Sequence, residues 1–249
     1  MATLSVRKIV NDCLDKSGRL SIKQDVLGVF GPDNPQTRSL VQQLRLIQTT
    51  LFLRLAVVTI RPPGSTLGQY QFLQSDLDAA NEVWQRDCGA WIYCVGSVVV
   101  VTNLLGTNGV LNQNACPLGV QANPSTEENQ LFNLGRNLGA DVVGYYINGS
   151  TNPTLIGCAA HPAGQRGFWV GFQATKTTET VNVLAHELTH VIGDNPHPAN
   201  DPDVPDTEQD NLMWPTLTGG PTVAITNLPP DLRAVQCQRV LGDNSIETC

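Results

Sequence analysis

The stretch His186-Glu187-Leu188-Thr189-His190-Val191-Ile192-Gly193-Asp194-Asn195-Pro196-His197 decides how this chain is read. His186 and His190 stand four apart, so on a helix they project from one face, close enough to share a metal ion. Glu187 lies beside them, where its carboxylate could take a proton from a water that the metal has acidified. Zinc suits such a group: it accepts neutral imidazole nitrogen, leaves a coordination position open to water and brings that water's pKa towards neutrality. The chain has four histidines, and three of them fall in this stretch. That clustering weighs against surface histidines with no ligand.

From Thr178 to Ile192 the apolar residues fall at Val181, Leu184, Leu188 and Val191 or Ile192, the spacing of a buried helical stripe. Thr178 with Glu179 makes a helix start, Gly193 a stop, and Pro196 bars continuation. The two histidines and Glu187 lie off the stripe and are expected to face a cleft. A catalytic zinc needs a third protein ligand, for which the candidates are His197, Asp194 and Glu208.

The run His186-Glu187-x-x-His190-x-x-Gly193, followed by His197 and by Asn211-Leu212-Met213-Trp214-Pro215, resembles the metzincin metallopeptidases. The resemblance implies that Gly193 ends the active-site helix and that the chain turns back to offer a third histidine. It makes Met213 the centre of a Met-turn, a tight turn beneath the metal. The family's usual spacing puts the third histidine at Pro196, whereas His197 comes one residue later. A wider turn at Asn195-Pro196 is expected to absorb the extra residue. His197 is the preferred third ligand and Asp194 the next choice. Thermolysin-like enzymes carry the same His-Glu-Leu-Thr-His run and would use Glu208 instead. The prolines at 198, 202 and 205, and the lack of helical periodicity around Glu208, weigh against that.

Residues 1–50 read as a helical N-terminal extension, pro-segment-like in the light of the family, with helices at Leu4 to Leu14 and Ser39 to Arg54 and a small buried cysteine at Cys13. Residues 51–249 read as the catalytic domain. There the pattern predicts a strand at Leu55 to Arg61, a helix at Gln69 to Arg86 and a strand-rich segment at Trp91 to Thr102, with Val98 to Val101 buried on both faces. A helix at Thr126 to Leu138 follows. Strands at Ala140 to Ile147, Leu155 to Ala160 and Gly167 to Gln173 come next, and a C-terminal helix at Asp231 to Leu241 closes the order. This succession is an α/β (α+β) fold with a twisted, mostly parallel sheet flanked by helices. The metzincin resemblance adds an antiparallel edge strand, an active-site helix, a Met-turn and a C-terminal helix. It also implies that Gly167, Phe168, Trp169, Val170 and Gly171 form the edge strand that pairs with substrate. His161 is expected at a sheet edge or on the surface.

The resemblance therefore implies a zinc endopeptidase acting on peptide or protein substrates, with Glu187 as general base and His186, His190 and His197 on the metal. A zinc-stabilised binding module without catalysis is the alternative: the displaced third histidine favours it, and the intact Glu187 opposes it. Net charge is −7 with no basic cluster, which excludes nucleic acid as a partner, and no apolar run approaches the ~20 residues of a membrane helix. Asp201, Asp203, Asp206, Glu208 and Asp210 form either a calcium site or a solvated loop, the loop being preferred. Seven cysteines with 22 glycines and 16 prolines lean towards an extracytoplasmic, oxidising compartment, although Met1 to Asp15 lacks the apolar core of a signal peptide. Pairings of Cys88 with Cys94, Cys116 with Cys158 and Cys237 with Cys249 are conceivable from their positions.

Overall fold

Leu51-Phe52-Leu53-Arg54-Leu55-Ala56-Val57-Val58-Thr59-Ile60-Arg61 is apolar on both faces, as a strand inside a covered parallel sheet must be. It forms β1 (Leu51–Arg61), buried from Leu55 through Ile60. The computed structural model describes residues 51–65, 71–113, 116, 124–159, 167–172, 182–204, 211–214 and 230–248. The expected helix at Leu4 to Leu14, with Cys13, His161 and Glu208, lies outside them. The chain divides into two units, residues 1–52 with 247–249 and residues Leu53–Ile246. In the first, Leu51 and Phe52 pair antiparallel with Thr248 and Glu247, so the helix expected to run as far as Arg54 gives way to strand. The second unit carries the rest of the sheet and the whole histidine motif.

After β1 come α1 (Gln71–Cys88), β2 (Ala90–Val101), the short β3 (Val110–Leu111), α2 (Thr126–Asn133), β4 (Val142–Ile147), β5 (Gly149–Ser150), β6 (Gly157–Ala159) and β7 (Gly167–Gly171). Then α3 (Val183–Val191), a 3-10 turn (Pro198–Asn200) and α4 (Ala234–Gly242) complete the unit. The main sheet has the order β2-β1-β4-β7-β6. β1, β4 and β7 run parallel, and β6 is antiparallel to β7 at the edge. This is the expected mixed α/β sheet with an antiparallel edge strand.

Alternation along the strands sorts the two faces. Ala56, Val58, Ile60, Val143, Tyr145, Ile147, Cys158 and Trp169 form one core with Leu131 and Phe132 of α2 and with Leu105 and Leu111. α3 packs against β4, β6 and β7, and α1 lies against α3. There the Trp84 indole donates to Thr189 Oγ1 (3.0 Å), whose hydroxyl donates in turn to the Ala185 carbonyl (2.8 Å). α2 starts in a capping box, Ser125 Oγ accepting from the Glu128 amide and Glu128 returning to the Ser125 amide.

Two expectations about this frame are corrected. β2 is an outer strand, so Val98 to Val100 are only half-buried and Val101 is exposed. β7 is not the edge: its residues ladder with β4 on one side and β6 on the other, and all five are buried. Among the described residues the disulfides are Cys88–Cys237 and Cys116–Cys158. Of the three conceivable pairings, only Cys116–Cys158 stands, and among the described residues Cys94 is a free thiol. Cys88–Cys237 ties α1 to α4 across 149 residues. Among the described residues no helix is long and apolar enough to cross a membrane.

Candidate metal centre

α3 is buried around its whole circumference, with only His186 half-exposed between Val183 and Val191. Its inner residues Leu184, Leu188 and Val191 have no exposed surface. Its described start is Val183, five residues past Thr178, which lies outside the described residues. The i, i+4 spacing places the His186 and His190 rings edge to face, and the chain returns to add His197. The three Nε2 atoms make a near-equilateral triangle: 3.1 Å from His190 to His186, 3.1 Å from His190 to His197, and 3.2 Å from His197 to His186.

The other ring nitrogens decide what that triangle means. His186 Nδ1 lies 2.7 Å from the Leu212 carbonyl and His190 Nδ1 2.5 Å from the Asn195 carbonyl. A carbonyl only accepts, so each Nδ1 carries the hydrogen and each neutral ring turns an Nε2 lone pair inwards. Lone pairs converging at this distance repel unless a cation lies between them. Nitrogens ~2.0–2.1 Å from one ion, at near-tetrahedral angles, stand about 3.3 Å apart, so the donor set fits zinc. Burial lowers the His186 pKa against the opposing pull of its hydrogen bond to Leu212, which favours the neutral ring a metal requires.

The loop from α3 to His197 absorbs its extra residue through two consecutive left-handed residues, Gly193 at φ 83° and Asp194 at φ 48°. At Gly193 a side chain is excluded twice over: by that φ, and because a Cβ would stand 2.5 Å from the Arg239 carbonyl carbon of α4. Pro198 then confines His197 to extended backbone, φ −65° and ψ 150°. The widening thus falls at Gly193-Asp194, two residues earlier than the expected Asn195-Pro196. Asp194, the second candidate ligand, is not in the group that could hold a metal ion, which among the described residues consists of His186, His190 and His197.

Residues Asn211 to Trp214 form a turn closed by the Trp214 amide on the Asn211 carbonyl (2.9 Å). Met213 has no exposed surface, and Leu212 next to it supplies the carbonyl for His186. α4 holds this turn through a reciprocal amide pair, Asn211 Nδ2 to Gln236 Oε1 (2.9 Å) and Gln236 Nε2 to Asn211 Oδ1 (3.1 Å).

Glu187 points at the edge strand: a Cβ on Gly157 would lie 2.6 Å from its Oε1. Burial pushes its carboxyl up to about 8, so an ionised Glu187 calls for a nearby positive charge, which a cation on the histidines would supply. Sequence reasoning missed Gly157, Gln236 and Arg239, and gave Asn195 only a place in the turn. Gly157, Gln236 and Arg239 lie outside the motif, and Gly157 carries no local signal.

Asp201, expected in a calcium site or a solvated loop, is instead buried against Arg239, while Asp203 keeps its solvent-exposed place and meets the same guanidinium. Its Nη1 donates to Asp201 Oδ2 (2.5 Å) and its Nη2 to Asp203 Oδ2 (2.9 Å). Burial opposes ionisation of Asp201, but the hydrogen bonds from Arg239 and from the Asp203 amide, with the guanidinium charge, hold its pKa below the ordinary value. Asp206, Glu208, Asp210 and Pro215 lie outside the described residues.

No family model and no curated protein matches the sequence. Among solved structures, metalloproteinase-II from Bacteroides fragilis is similar over 78% of this chain and 53% of that one, with 15% identity and a TM-score of 0.48. A chaperone-substrate complex is similar over 58% of this chain and 26% of that one, with 12% identity and a TM-score of 0.37. The chain spans about half the length of the first. At these values the functional reading rests on the site and not on either likeness.

Proposed function

We propose that this chain is a zinc-dependent endopeptidase of metzincin type, with His186, His190 and His197 on the metal, Glu187 as general base and Met213 in the Met-turn. The observation that carries the reading is the convergence of three Nε2 atoms within 3.1–3.2 Å at the helix that also carries the buried Glu187 carboxylate. Zinc, when bound, polarises the scissile carbonyl and acidifies a water. Glu187 accepts that water's proton and returns it to the leaving amine. The Leu212 and Asn195 carbonyls keep His186 and His190 in the tautomer that donates from Nε2.

The substrate strand moves from β7 to β6. Because the Gly171 amide bonds the Ile156 carbonyl, the alternation of an antiparallel ladder makes Gly157–Val170 and Ala159–Phe168 the non-bonded pairs. Gly157 and Ala159 therefore turn their N–H and C=O groups to the open side of the sheet. An extended peptide pairing there lies against Glu187. The two disulfides support an extracytoplasmic setting.

The test is zinc content of the full chain beside that of His197→Ala, followed by a peptidase screen. One zinc per chain, weakened in His197→Ala, with turnover abolished and zinc retained in Glu187→Ala, is the expected result. Peptidase activity surviving in zinc-loaded Glu187→Ala would sink the assignment. Zinc bound without any turnover would leave the binding-module reading.

A further inference from the structure

We propose that Asn195 and Arg239 together position two of the three metal ligands, His190 and His197, by bracketing the widened loop between them. The inference rests on the three-histidine centre proposed above. Asn195 acts through both its main chain and its side chain. Its carbonyl oxygen accepts from His190 Nδ1. Its side chain, with no exposed surface, directs Nδ2 towards the Thr189 carbonyl (3.4 Å), the Ile192 carbonyl (3.4 Å) and the Gln236 carbonyl (3.3 Å). One amide thereby ties the loop to the last turn of α3 and to α4.

Arg239 completes the bracket from α4. Its Nη1 reaches Asn195 Oδ1 (3.4 Å) and Asp201 Oδ2, and its Nη2 reaches Asp201 Oδ1 (3.0 Å) and Asp203 Oδ2 (2.9 Å). One planar guanidinium thus fixes the chain two residues before His197 and four residues after it. Between those anchors, Pro198 and the Asn200 amide bond to the His197 carbonyl (2.8 Å) leave little freedom. A surface ion pair would contribute little, but the Asp201 side chain has no exposed surface. A loop one residue longer has more ways to miss the metal, and the bracket removes them. The requirement is for a rigid fork and not merely a positive charge, which a lysine ammonium would also supply.

The experiment uses the full chain with Asn195→Ala, Arg239→Gln and Arg239→Lys. It measures zinc affinity by chelator competition and the visible absorption of the cobalt-loaded protein, which reports coordination geometry. Zinc affinity is expected to fall ten- to a hundredfold in all three, with the cobalt spectrum shifted towards that of His197→Ala. Affinity and spectrum within twofold of the parent in Arg239→Gln, even with a lowered melting temperature, would make the bracket merely structural and overturn the proposal. So would full rescue by Arg239→Lys, since charge alone would then suffice. If Asn195→Ala does not fold, the two Arg239 variants decide. A parent that takes up neither zinc nor cobalt overturns the metal centre itself, and a metal-binding parent with unaffected variants overturns the bracket alone.

Discussion

Replacing Gly157 with alanine should disable catalysis while leaving the metal in place. Gly157 lies on β6, under the Glu187 carboxylate. An alanine Cβ would stand 2.6 Å from Glu187 Oε1, 3.0 Å from Cδ and 2.9 Å from Val183 Cγ1, where ordinary contact begins at 3.4 Å. Val183 is buried on the same helix. The carboxylate must therefore retreat by roughly 0.8 Å to restore contact distance. A general base works within about 2.6–3.2 Å of the proton it takes, and a misplacement near 1 Å lowers rate on the order of 10²-fold.

The expected outcome is thus a kcat lower by about 10²-fold, with folding stability reduced by about 1–3 kcal/mol from overpacking. Zinc stoichiometry should be unchanged, because no atom of His186, His190 or His197 is touched. KM for extended peptides should move little, since the pairing groups at Gly157 and Ala159 are main-chain. The assay is steady-state hydrolysis of a fluorogenic peptide mixture, with metal content and thermal melting measured on the same preparation and Glu187→Ala setting the floor. A kcat within threefold of the parent in a zinc-loaded protein would refute the placement of Glu187 over β6. Parallel loss of zinc and activity would refute the separation of base from ligands.

Gly193→Ala should destabilise the fold by about 2–5 kcal/mol in urea titration, combining a left-handed backbone with a clash against Arg239; a change below about 1 kcal/mol would count against that packing. The Asp201 pKa is lowered in the folded protein, so its stabilisation is fully present above the ordinary carboxylate range and is lost as pH falls through the lowered value. Asp201→Asn should therefore flatten the acid side of the stability profile below about pH 4, and an unaltered slope there would contradict the pairing with Arg239. Removing the Cys88–Cys237 link by Cys88→Ser with Cys237→Ser should lower stability by about 2–5 kcal/mol. Cys94→Ser, at a free thiol, should stay within about 0.5 kcal/mol. Equal effects from the two changes would show that the bridge is not the one described.

What the sequence made legible was local. The i, i+4 histidines, the stop at Gly193 and the apolar run of β1 each reflect a period or a backbone requirement carried by a few adjacent residues. They survive in the structure with ends shifted by a few residues. The edge strand was misassigned because Gly167 to Gly171 and Gly157 to Ala159 are both short, uncharged segments. Which of them ends the sheet depends on pairing partners and not on composition. The cysteines failed for a related reason: Cys88 lies six residues from Cys94, but its partner is Cys237, brought to it by the packing of α1 against α4.

The proposed third ligand shows how far spacing can be trusted. Counting residues from Gly193 puts the family's histidine at Pro196, and by count alone His197 is misplaced. What a metal would require is a nitrogen in a place, and the chain brings His197 Nε2 to 3.1–3.2 Å from the other two by another route. Asp194 takes a left-handed turn beside Gly193, Asn195 folds inwards as a tie, and the flanking prolines hold His197 extended. The parts that make this possible lie about forty residues downstream on α4, where Gln236 and Arg239 receive Asn195 and Arg239 also clasps Asp201. A motif read along the chain records only the covalent path to the metal. The tolerance for an extra residue is set by a helix the motif does not contain, which is why substitutions on α4 should change metal affinity without touching any ligand.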